Sequence, residues 1–388
     1  MKALVLIDGE HYAPVVRDAL AELPYEVVGA LFAGGTEKLQ GGEDYGVPLV
    51  DALDAVEADL IVDLSDEPVL GPRQRFLWAS RALALGLPYV GADFRFDPPV
   101  YHPFSLPSLA VIGTGKRVGK TAVAGHIARL LARDREVVVV SMGRGGPREP
   151  ELAEMSPTVD ELVALARAGR HAASDYLETA ALARVVTIGC RRAGGGLAGA
   201  VTTSNVLEGA ELAAARRPDV VVFDGSGAAI PPIAVDARVL VTSGRAVDEG
   251  LNAYRVLISD LVVLVGEGDA DAVRRIKDVR VIHAELRLRP AEPLAGRRVA
   301  VFTTGPAPTR ELDADVVFIS RNLSHRPALR TDLETVDADV YLVELKAAAI
   351  DVVAEAALER GARVVLAENE VVAPELDDAV LGLMGVPA

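Results

Sequence analysis

The chain has 388 residues, half of them hydrophobic, and 56 acidic residues against 40 lysines and arginines give a formal net charge of −16. This acidic balance argues against nucleic acid as a partner, because binding a phosphate backbone needs a basic face. No apolar run approaches the ~20 residues of a membrane-spanning helix. The single cysteine, Cys190, excludes an internal disulfide framework and is expected to be a buried hydrophobe, not a nucleophile. We therefore expect two or three globular domains in a reducing cytoplasm.

The first hundred residues alternate short apolar runs with helical stretches, a pattern typical of strands in a buried parallel sheet. Polar residues follow these strands, and His11 and Lys38 are the basic ones that we predict meet an anion. The proline-rich stretch 97–107 predicts a linker, which closes a first domain at residues 1–106. The predicted strands are 3–7, 27–32, 60–64 and 88–90, and the predicted helices are 12–22 and 73–85.

The next segment reads GTGKRVGKT between a short apolar run and an alanine-rich helical pattern. A strand, a glycine loop and Gly-Lys-Thr opening a helix predict a phosphate cradle, in which loop N–H groups and the helix N-terminus bind anionic oxygens. Lys120 is predicted to reach the β- and γ-phosphates of ATP, and the Thr121 hydroxyl to ligate Mg²⁺. The residues predicted to bind nucleotide are Gly113, Thr114, Gly115, Val118, Gly119, Lys120, Thr121 and Ala122.

Strands and helices keep alternating to the end of the chain, with a break at Pro290 and Pro293. The pattern predicts an α/β fold of doubly wound, mainly parallel sheets, with ligands at the carboxyl ends of strands. A central P-loop NTPase domain at 107–290 is flanked by the Rossmann-like N-terminal domain and by a small C-terminal α/β unit at 291–388. The further predicted strands are 136–141, 185–188, 220–223, 239–242, 261–265, 298–302, 316–319, 340–343 and 363–366.

Arginines on glycine-rich frames follow two of the predicted strands. The segment MGRGGPREP carries Arg144 and Arg148, and the segment GCRRAGGG carries Arg191 and Arg192 in what we expect to be a second loop. Guanidinium groups beside free backbone donors suit phosphate or carboxylate. We predict that these loops bind an anionic substrate.

Other candidates lie at neighbouring strand ends. Asp224 ends a strand and is predicted to provide the second Mg²⁺ contact, with Glu149 as a further metal ligand. His171 and Asp175 are four positions apart, so in a helix they form a phosphate clamp or a general-acid pair, or else an ordinary structural pair. The substrate-binding candidates of the last domain are Arg326, Arg330 and Lys346.

Segments spread over nearly the whole chain resemble the cyclic 2,3-diphosphoglycerate synthetase family. They are IDGEHY, GGTEKL, DLSDEPV, GTGKRVGKTAV, MGRGGPREPE, HAASD, GCRR, GSGAAIPP and ELKAAA. The resemblance implies an enzyme that uses ATP and Mg²⁺ to close an intramolecular phosphoanhydride between the two phosphates of 2,3-bisphosphoglycerate. We also expect a homodimer. The groups then predicted to be catalytic are Lys116, Arg117, Lys120, Arg144 and Arg148.

Two alternatives remain open at this point. Glycines stand at 113 and 115, so the loop is one residue longer than the common form and resembles the dethiobiotin-synthetase branch of P-loop proteins. Another ATP-dependent ligase, which activates a carboxylate, is therefore the nearest alternative. The second is a nucleotide-switch ATPase of the partitioning type. Proteins of that type share a second lysine, five residues before the P-loop lysine. This chain has Gly115 at that position.

Overall fold

The computed structural model describes residues 1–39, 41–243, 247–305 and 309–385. These residues form two sheets, one of six strands and one of thirteen, connected mostly through helices. Most neighbouring strands are parallel, which confirms the predicted α/β fold class. Within this part of the chain, none of the helices combines the length and the apolar character needed to cross a membrane.

The N-terminal sheet has the strand order β3-β2-β1-β4-β5-β6. Its central strand is buried along residues 3–7 because it is apolar on both faces, as a sheet covered on both sides requires. The strands are β1 (Lys2–Asp8), β2 (Glu26–Gly34), β3 (Leu49–Val50), β4 (Leu60–Asp63), β5 (Tyr89–Val90) and β6 (Arg95–Phe96), and the helices are α1 (Ala13–Glu22) and α2 (Pro72–Ala84). The short edge strands β3 and β6 were not predicted, because two residues carry no periodic signal.

The central unit contains the longest run of buried parallel strands. Its strands are β7 (Ser108–Gly113), β8 (Val137–Gly143), β9 (Glu151–Ala153), β10 (Val186–Ala193), β11 (Thr203–Ser204), β12 (Val220–Asp224), β13 (Ala237–Thr242), β14 (Leu261–Val265) and β15 (Arg280–Pro290). Its helices are α3 (Lys120–Leu131), α4 (Val159–Arg167), α5 (Asp175–Ala183), α6 (Val206–Ala215), α7 (Asn252–Leu257) and α8 (Ala270–Arg274). The strand order β10-β8-β12-β7-β13-β14 places β7 among the inner strands and aligns their carboxyl ends at one edge.

Strand β15 joins the central and C-terminal units into one sheet. Its first half pairs in parallel with β14, and its second half pairs antiparallel with a strand of the last unit. The strand ends at Pro290, whose missing N–H cannot continue the ladder. The C-terminal elements are β16 (Arg298–Phe302), β17 (Asp315–Ser320), α9 (Arg326–Thr335), β18 (Val340–Glu344), a π-helix (Ala349–Ala354), α10 (Glu355–Glu359), β19 (Arg363–Val372) and α11 (Leu376–Leu383).

Helices pack against one another across the boundaries between the units. Helix α2 packs against α7, and the Tyr101 and Tyr254 hydroxyls lie 2.9 Å apart. Helix α11 returns from the last unit onto α3, where Leu376 and Val380 enter the core of the central sheet. The predicted domain limits at 106/107 and 290/291 stay a proposal. Near the second limit, β15 pairs with strands of both units, and α11 of the last unit packs on the central unit.

Candidate functional site

The GTGKRVGKT segment leaves β7 and enters α3 as predicted. Gly119 has a φ of 87°, a left-handed conformation that glycine adopts without strain, and it directly precedes the first helical residue, Lys120. Arg117 also has a positive φ, of 62°, and its guanidinium donates a hydrogen bond to the Ser324 hydroxyl at 3.1 Å. The strained residue is thus held by a contact from the C-terminal unit. The loop has the form of an anion cradle at a helix N-terminus.

Lys120 and Asp224 form a buried ion pair at the centre of this edge. Asp224 ends β12 and is fully buried, while Lys120 is 7% exposed. Burial raises the pKa of Asp224, and the Lys120 ammonium acts against that shift. The second carboxylate oxygen, Asp224 Oδ2, is buried and has no hydrogen-bond partner among the described residues. A buried carboxylate oxygen without a donor is suited to a metal ion or its bound water.

Arginines and a lysine from neighbouring segments lie beside the residues that follow Asp224. The Arg192 guanidinium donates to the Ser226 carbonyl at 2.9 Å, just after Asp224. Burial lowers the pKa of Arg192, and the nearby positive charge of Arg144 lowers it further. Lys116 lies close to Gly227, in the same glycine-rich segment as Ser226: a β-carbon built on Gly227 would lie 3.6 Å from the Lys116 Cγ. Cationic groups from three segments therefore converge beside the phosphate loop.

The segment around Arg192 differs from the prediction. Residues Gly189 to Ala193 were expected in a loop, yet β10 runs to Ala193 and pairs with both β8 and β9. The prediction missed this because glycine and arginine are poor strand signals on their own. As part of the strand, Arg191 points its exposed side chain differently from the half-buried Arg192, since successive side chains alternate between faces. Only Arg192 joins the cluster near Asp224.

Arg255 fixes the glycine-rich segment that follows Asp224. This α7 arginine is 1% exposed, and burial lowers its pKa to about 10. It donates two hydrogen bonds to the Ala228 carbonyl and one to the Leu197 carbonyl, at 3.0, 2.6 and 3.0 Å. The buried guanidinium therefore ties two glycine-rich loops together. Arg255 was not predicted, because it lies on a short helix that carries no motif.

A second basic region lies in a cleft between the loop after β8, the α4–α5 loop and the C-terminal unit. Two adjoining cavities of about 260 and 290 Å³ share Arg170 and His171 in their walls. Arg148 lines the first cavity and Arg326 lines the second. Three predicted substrate residues are thus brought together, and Arg170 is one that the sequence analysis missed.

His171 reaches the cleft in a way that differs from the prediction. Helix α5 begins only at Asp175, so the helical pairing of His171 with Asp175 is wrong. The ring of His171 instead packs on Gly145, where a β-carbon would lie 1.9 Å from the ring. Asp175 acts on other groups: its charge influences Arg192, Asp224 and Glu178. The two residues therefore belong to different parts of the site.

Lys346 reaches from the C-terminal unit to helix α5. Its Nζ lies 3.4 Å from Oε1 of Glu178, whose negative charge raises the pKa of Lys346. Glu178 is buried, and burial raises its pKa to about 7. Lys346 was predicted to bind substrate, but in this structure it holds two units together through an ion pair. A role with substrate stays a prediction.

The N-terminal candidates form a cluster of their own. His11 Nδ1 lies 2.7 Å from the buried Asp8 carboxylate, and its Nε2 lies 3.6 Å from Asp66. Burial tends to raise the pKa of Asp8, but hydrogen bonds from the Asp66 amide and from His11 lower it overall. No hydrogen bond or ion pair within the described residues links His11 to the phosphate loop. The side chain of Lys38 lies outside the described part of the chain.

Several predicted cations carry no partner among the residues that the structure describes. Their charged groups are exposed and make no hydrogen bond or ion pair with any residue that the structure describes, which leaves them available to an anion. They are Lys116, Arg144, Arg148, Arg191 and Arg330. Glu149, a predicted metal ligand, is exposed too, and the described residues contain no cluster of three or more His, Cys, Asp or Glu suited to a metal.

Family models and curated proteins match the chain over nearly its whole length. Family models match three domains of cyclic 2,3-diphosphoglycerate synthetase: the N-terminal domain at residues 2–97, the P-loop domain at 108–288 and the C-terminal domain at 290–370. A curated protein of that name from Rubrobacter xylanophilus is 50% identical, covering 99% of this chain and 97% of the relative. Namesakes from Thermococcus kodakarensis and Methanothermus fervidus are 42% and 37% identical, covering 95% and 98% of this chain and 94% and 96% of the relatives.

Proposed function

The chain belongs to the cyclic 2,3-diphosphoglycerate synthetase family, and from that premise we propose that it uses ATP to close an intramolecular phosphoanhydride in 2,3-bisphosphoglycerate. Each ring closure cleaves one ATP to ADP and inorganic phosphate. The proposal places the enzyme in the cytoplasm, where ATP and the phosphorylated substrate are available. It also includes assembly as a homodimer.

The convergence of cations beside the phosphate loop carries this proposal. Lys120 pairs with Asp224, and Lys116 and Arg192 reach the segment just after it. Arg144 lies near Arg192, in a chain whose net charge is −16. A phosphate carries about −1.5 to −2 charge. Two unit charges at 4 Å repel by about 4 kcal/mol near a protein surface, so two phosphates approach only when neutralised. A substrate with two phosphates explains why so many cations are needed here.

The reaction proceeds in two phosphoryl steps. An oxygen of one substrate phosphate attacks the γ-phosphorus of ATP in line, forming a new O–P bond while the bond to ADP breaks. The product of this step carries two linked phosphorus atoms. An oxygen of the other substrate phosphate then attacks the inner phosphorus, which belonged to the substrate from the start. A P–O–P bond closes the ring, and the transferred phosphoryl group leaves as inorganic phosphate together with the oxygen that joined it.

The residues contribute positioning and charge, not a covalent intermediate. Lys120 and the loop N–H groups bind the β- and γ-phosphates of ATP, and Lys120 then exchanges its contact with Asp224 for phosphate oxygens. Arg144 and Arg192 hold the attacking substrate phosphate against that charge, while the rest of the substrate extends away from ATP. Cys190 takes no part, because it is 1% exposed and burial raises its pKa to about 12.

Thr121 and Asp224 are the proposed Mg²⁺ ligands. The unpartnered Asp224 Oδ2 supports this, as does the position of Thr121 in the first turn of α3. Mg²⁺, when bound, neutralises charge on the terminal phosphates. The sequence-based assignment of Glu149 to the metal has no such support, because its carboxylate is exposed.

Phosphorus NMR of the full chain with ATP, Mg²⁺ and 2,3-bisphosphoglycerate tests the function. The expected result is a pair of phosphoanhydride signals from the product, with one inorganic phosphate per ring. The same sample with dicarboxylates in place of 2,3-bisphosphoglycerate is the control for a carboxylate-activating ligase. Phosphate release with dicarboxylates, or ATP-dependent dimerisation without substrate turnover, would contradict the proposal. Light scattering of the free protein tests the homodimer.

A further inference from the structure

Two arginine–carboxylate pairs line the cleft between the central and C-terminal units. Arg170 pairs with Glu151, and the Arg326 Nη2 lies 2.7 Å from the Asp351 Oδ2. Arg170 lines both cavities of the cleft, Glu151 lines the first, and the other pair lines the second. All four side chains are between 40% and 49% exposed, so both pairs are open to an incoming ligand.

We propose that Glu151 and Asp351 are placeholder carboxylates, which neutralise Arg170 and Arg326 in the free protein and are displaced by the anionic groups of the substrate. This inference rests on the proposed function, which supplies a ligand with two phosphates and a carboxylate. It extends the substrate site to two residue pairs at the boundary of the two units.

The exchange is favourable because the existing pairs are weak. An exposed ion pair changes an equilibrium constant by a factor of about five at most. A phosphate carries about −1.5 to −2 charge against −1 for a carboxylate, and a guanidinium binds it through two parallel hydrogen bonds. Arg170 and Arg326 therefore bind a phosphate better than they bind their present partners.

The placeholder carboxylates also explain how the cleft stays assembled in the free protein. Arg148 and His171 lie in the same walls and have no hydrogen bond or ion pair from their side chains within the described residues. Without Glu151 and Asp351, the described lining of either cavity would hold basic side chains and no carboxylate: Arg148 and Arg170 in the first, Arg170 and Arg326 in the second. Like charges in one cavity repel, and the two carboxylates reduce that repulsion until the substrate arrives.

Glu151 has a second partner besides its arginine, and Asp351 stands on a defined backbone element. The Tyr176 hydroxyl donates to Glu151 at 3.1 Å, so this carboxylate keeps one hydrogen bond when the guanidinium turns away. Asp351 lies in the π-helix that follows Ala347, which lines the same cavity with a φ of 49°. A residue with a β-carbon adopts that conformation only where its surroundings enforce it. The backbone at this wall of the cleft therefore takes a specific conformation just before the helix that carries Asp351.

Calorimetric titration of the full chain with 2,3-bisphosphoglycerate, without ATP, tests the proposal. Glu151→Gln and Asp351→Asn are each expected to lower the Kd by about twofold to fivefold, because the competing charge is gone. Arg170→Gln and Arg326→Gln are each expected to raise it by about tenfold or more.

Glu355→Gln is the matched control. Glu355 pairs with Arg167 at 2.7 Å and also joins the two units, but neither residue is among the described residues that line the two cavities of the cleft. Its Kd is expected to equal that of the wild type. Melting curves identify folded variants, and Glu151→Ser or Asp351→Ser replaces any variant that does not fold.

The outcomes separate this inference from the proposed function. Unchanged or weaker binding by both carboxylate variants overturns the placeholder role. A wild type that forms the phosphoanhydride while those variants show unchanged binding overturns the placeholder role alone. If the carboxylate variants bind more tightly but no product forms, the placeholder role stands and the proposed function fails. A wild type that does not bind 2,3-bisphosphoglycerate overturns both.

Discussion

Glu178 makes the stability of this protein depend on pH in a predictable direction. Its carboxyl is buried on α5, with the Lys346 Nζ at 3.4 Å. Burial raises its pKa from 4.5 to about 7; Lys346 opposes the shift, and the negative charges of Asp175 and Glu344 add to it. Glu178→Gln keeps the shape of the side chain and removes the titrating group.

The sign and size of the effect follow from the two pKa values. Between pH 4.5 and about 7 the folded state binds more protons at Glu178 than the unfolded state does, so the free energy of unfolding falls as pH rises. At about 1.4 kcal/mol per pH unit, the fall across this window is about 3 kcal/mol. Below pH 4.5 the contribution is fully present, and above about 7 no more is lost.

Urea unfolding followed by circular dichroism, from about pH 4.5 to pH 8, measures this slope. The wild-type free energy of unfolding minus that of Glu178→Gln is expected to fall by about 3 kcal/mol over the range. Lys346→Met is expected to extend the fall to higher pH, because it removes the charge that opposes the shift. Parallel pH profiles for the wild type and Glu178→Gln would refute this reasoning.

Three further predictions concern single residues. Lys120→Ala is expected to lower kcat/KM for ATP about 100-fold or more by removing charge stabilisation at the transferred phosphoryl group, and phosphate release measures it; near-normal turnover would contradict the assignment. Arg255→Gln is expected to cost about 2–4 kcal/mol in urea unfolding, because it leaves buried carbonyls without donors; an unchanged midpoint would contradict the reasoning. Cys190 is expected to resist iodoacetamide at neutral pH until urea unfolds the chain, with mass spectrometry as the readout; rapid labelling of folded protein would show that the thiol is accessible.

The regular part of the fold was predictable because it depends on local pattern. Apolar runs between helical stretches gave most strands of both sheets and placed GTGKRVGKT between β7 and α3. Strand β15 was missed even though apolar and polar residues alternate along part of it. It was missed because Pro290 and Pro293 indicate a break in the pattern. In addition, β15 pairs with β19, which lies about eighty positions further along the chain, and local pattern carries no sign of such a distant partner.

The site was predictable only where one segment carries its own chemistry. Lys120 stands in a motif and Asp224 at a strand end, so both residues were found from the sequence, whereas their ion pair was seen only in the structure. Arg170, Glu151 and Asp351 were missed, because each is an ordinary surface residue until the fold brings two units together. The pairing considered for His171 and Asp175 required both residues to be helical, but the helix starts only after Ser174.

Oxygen labelling tests most directly whether ATP activates a substrate phosphate. The substrate is 2,3-bisphosphoglycerate whose terminal phosphate oxygens are ¹⁸O, and the released inorganic phosphate is examined by phosphorus NMR. The two-step reaction predicts inorganic phosphate that contains one ¹⁸O, carried over from the attacking substrate phosphate. Phosphate without label would mean that water cleaves ATP directly, and phosphate with three labelled oxygens would mean that the substrate itself is hydrolysed. Either result would contradict the proposed synthetase reaction.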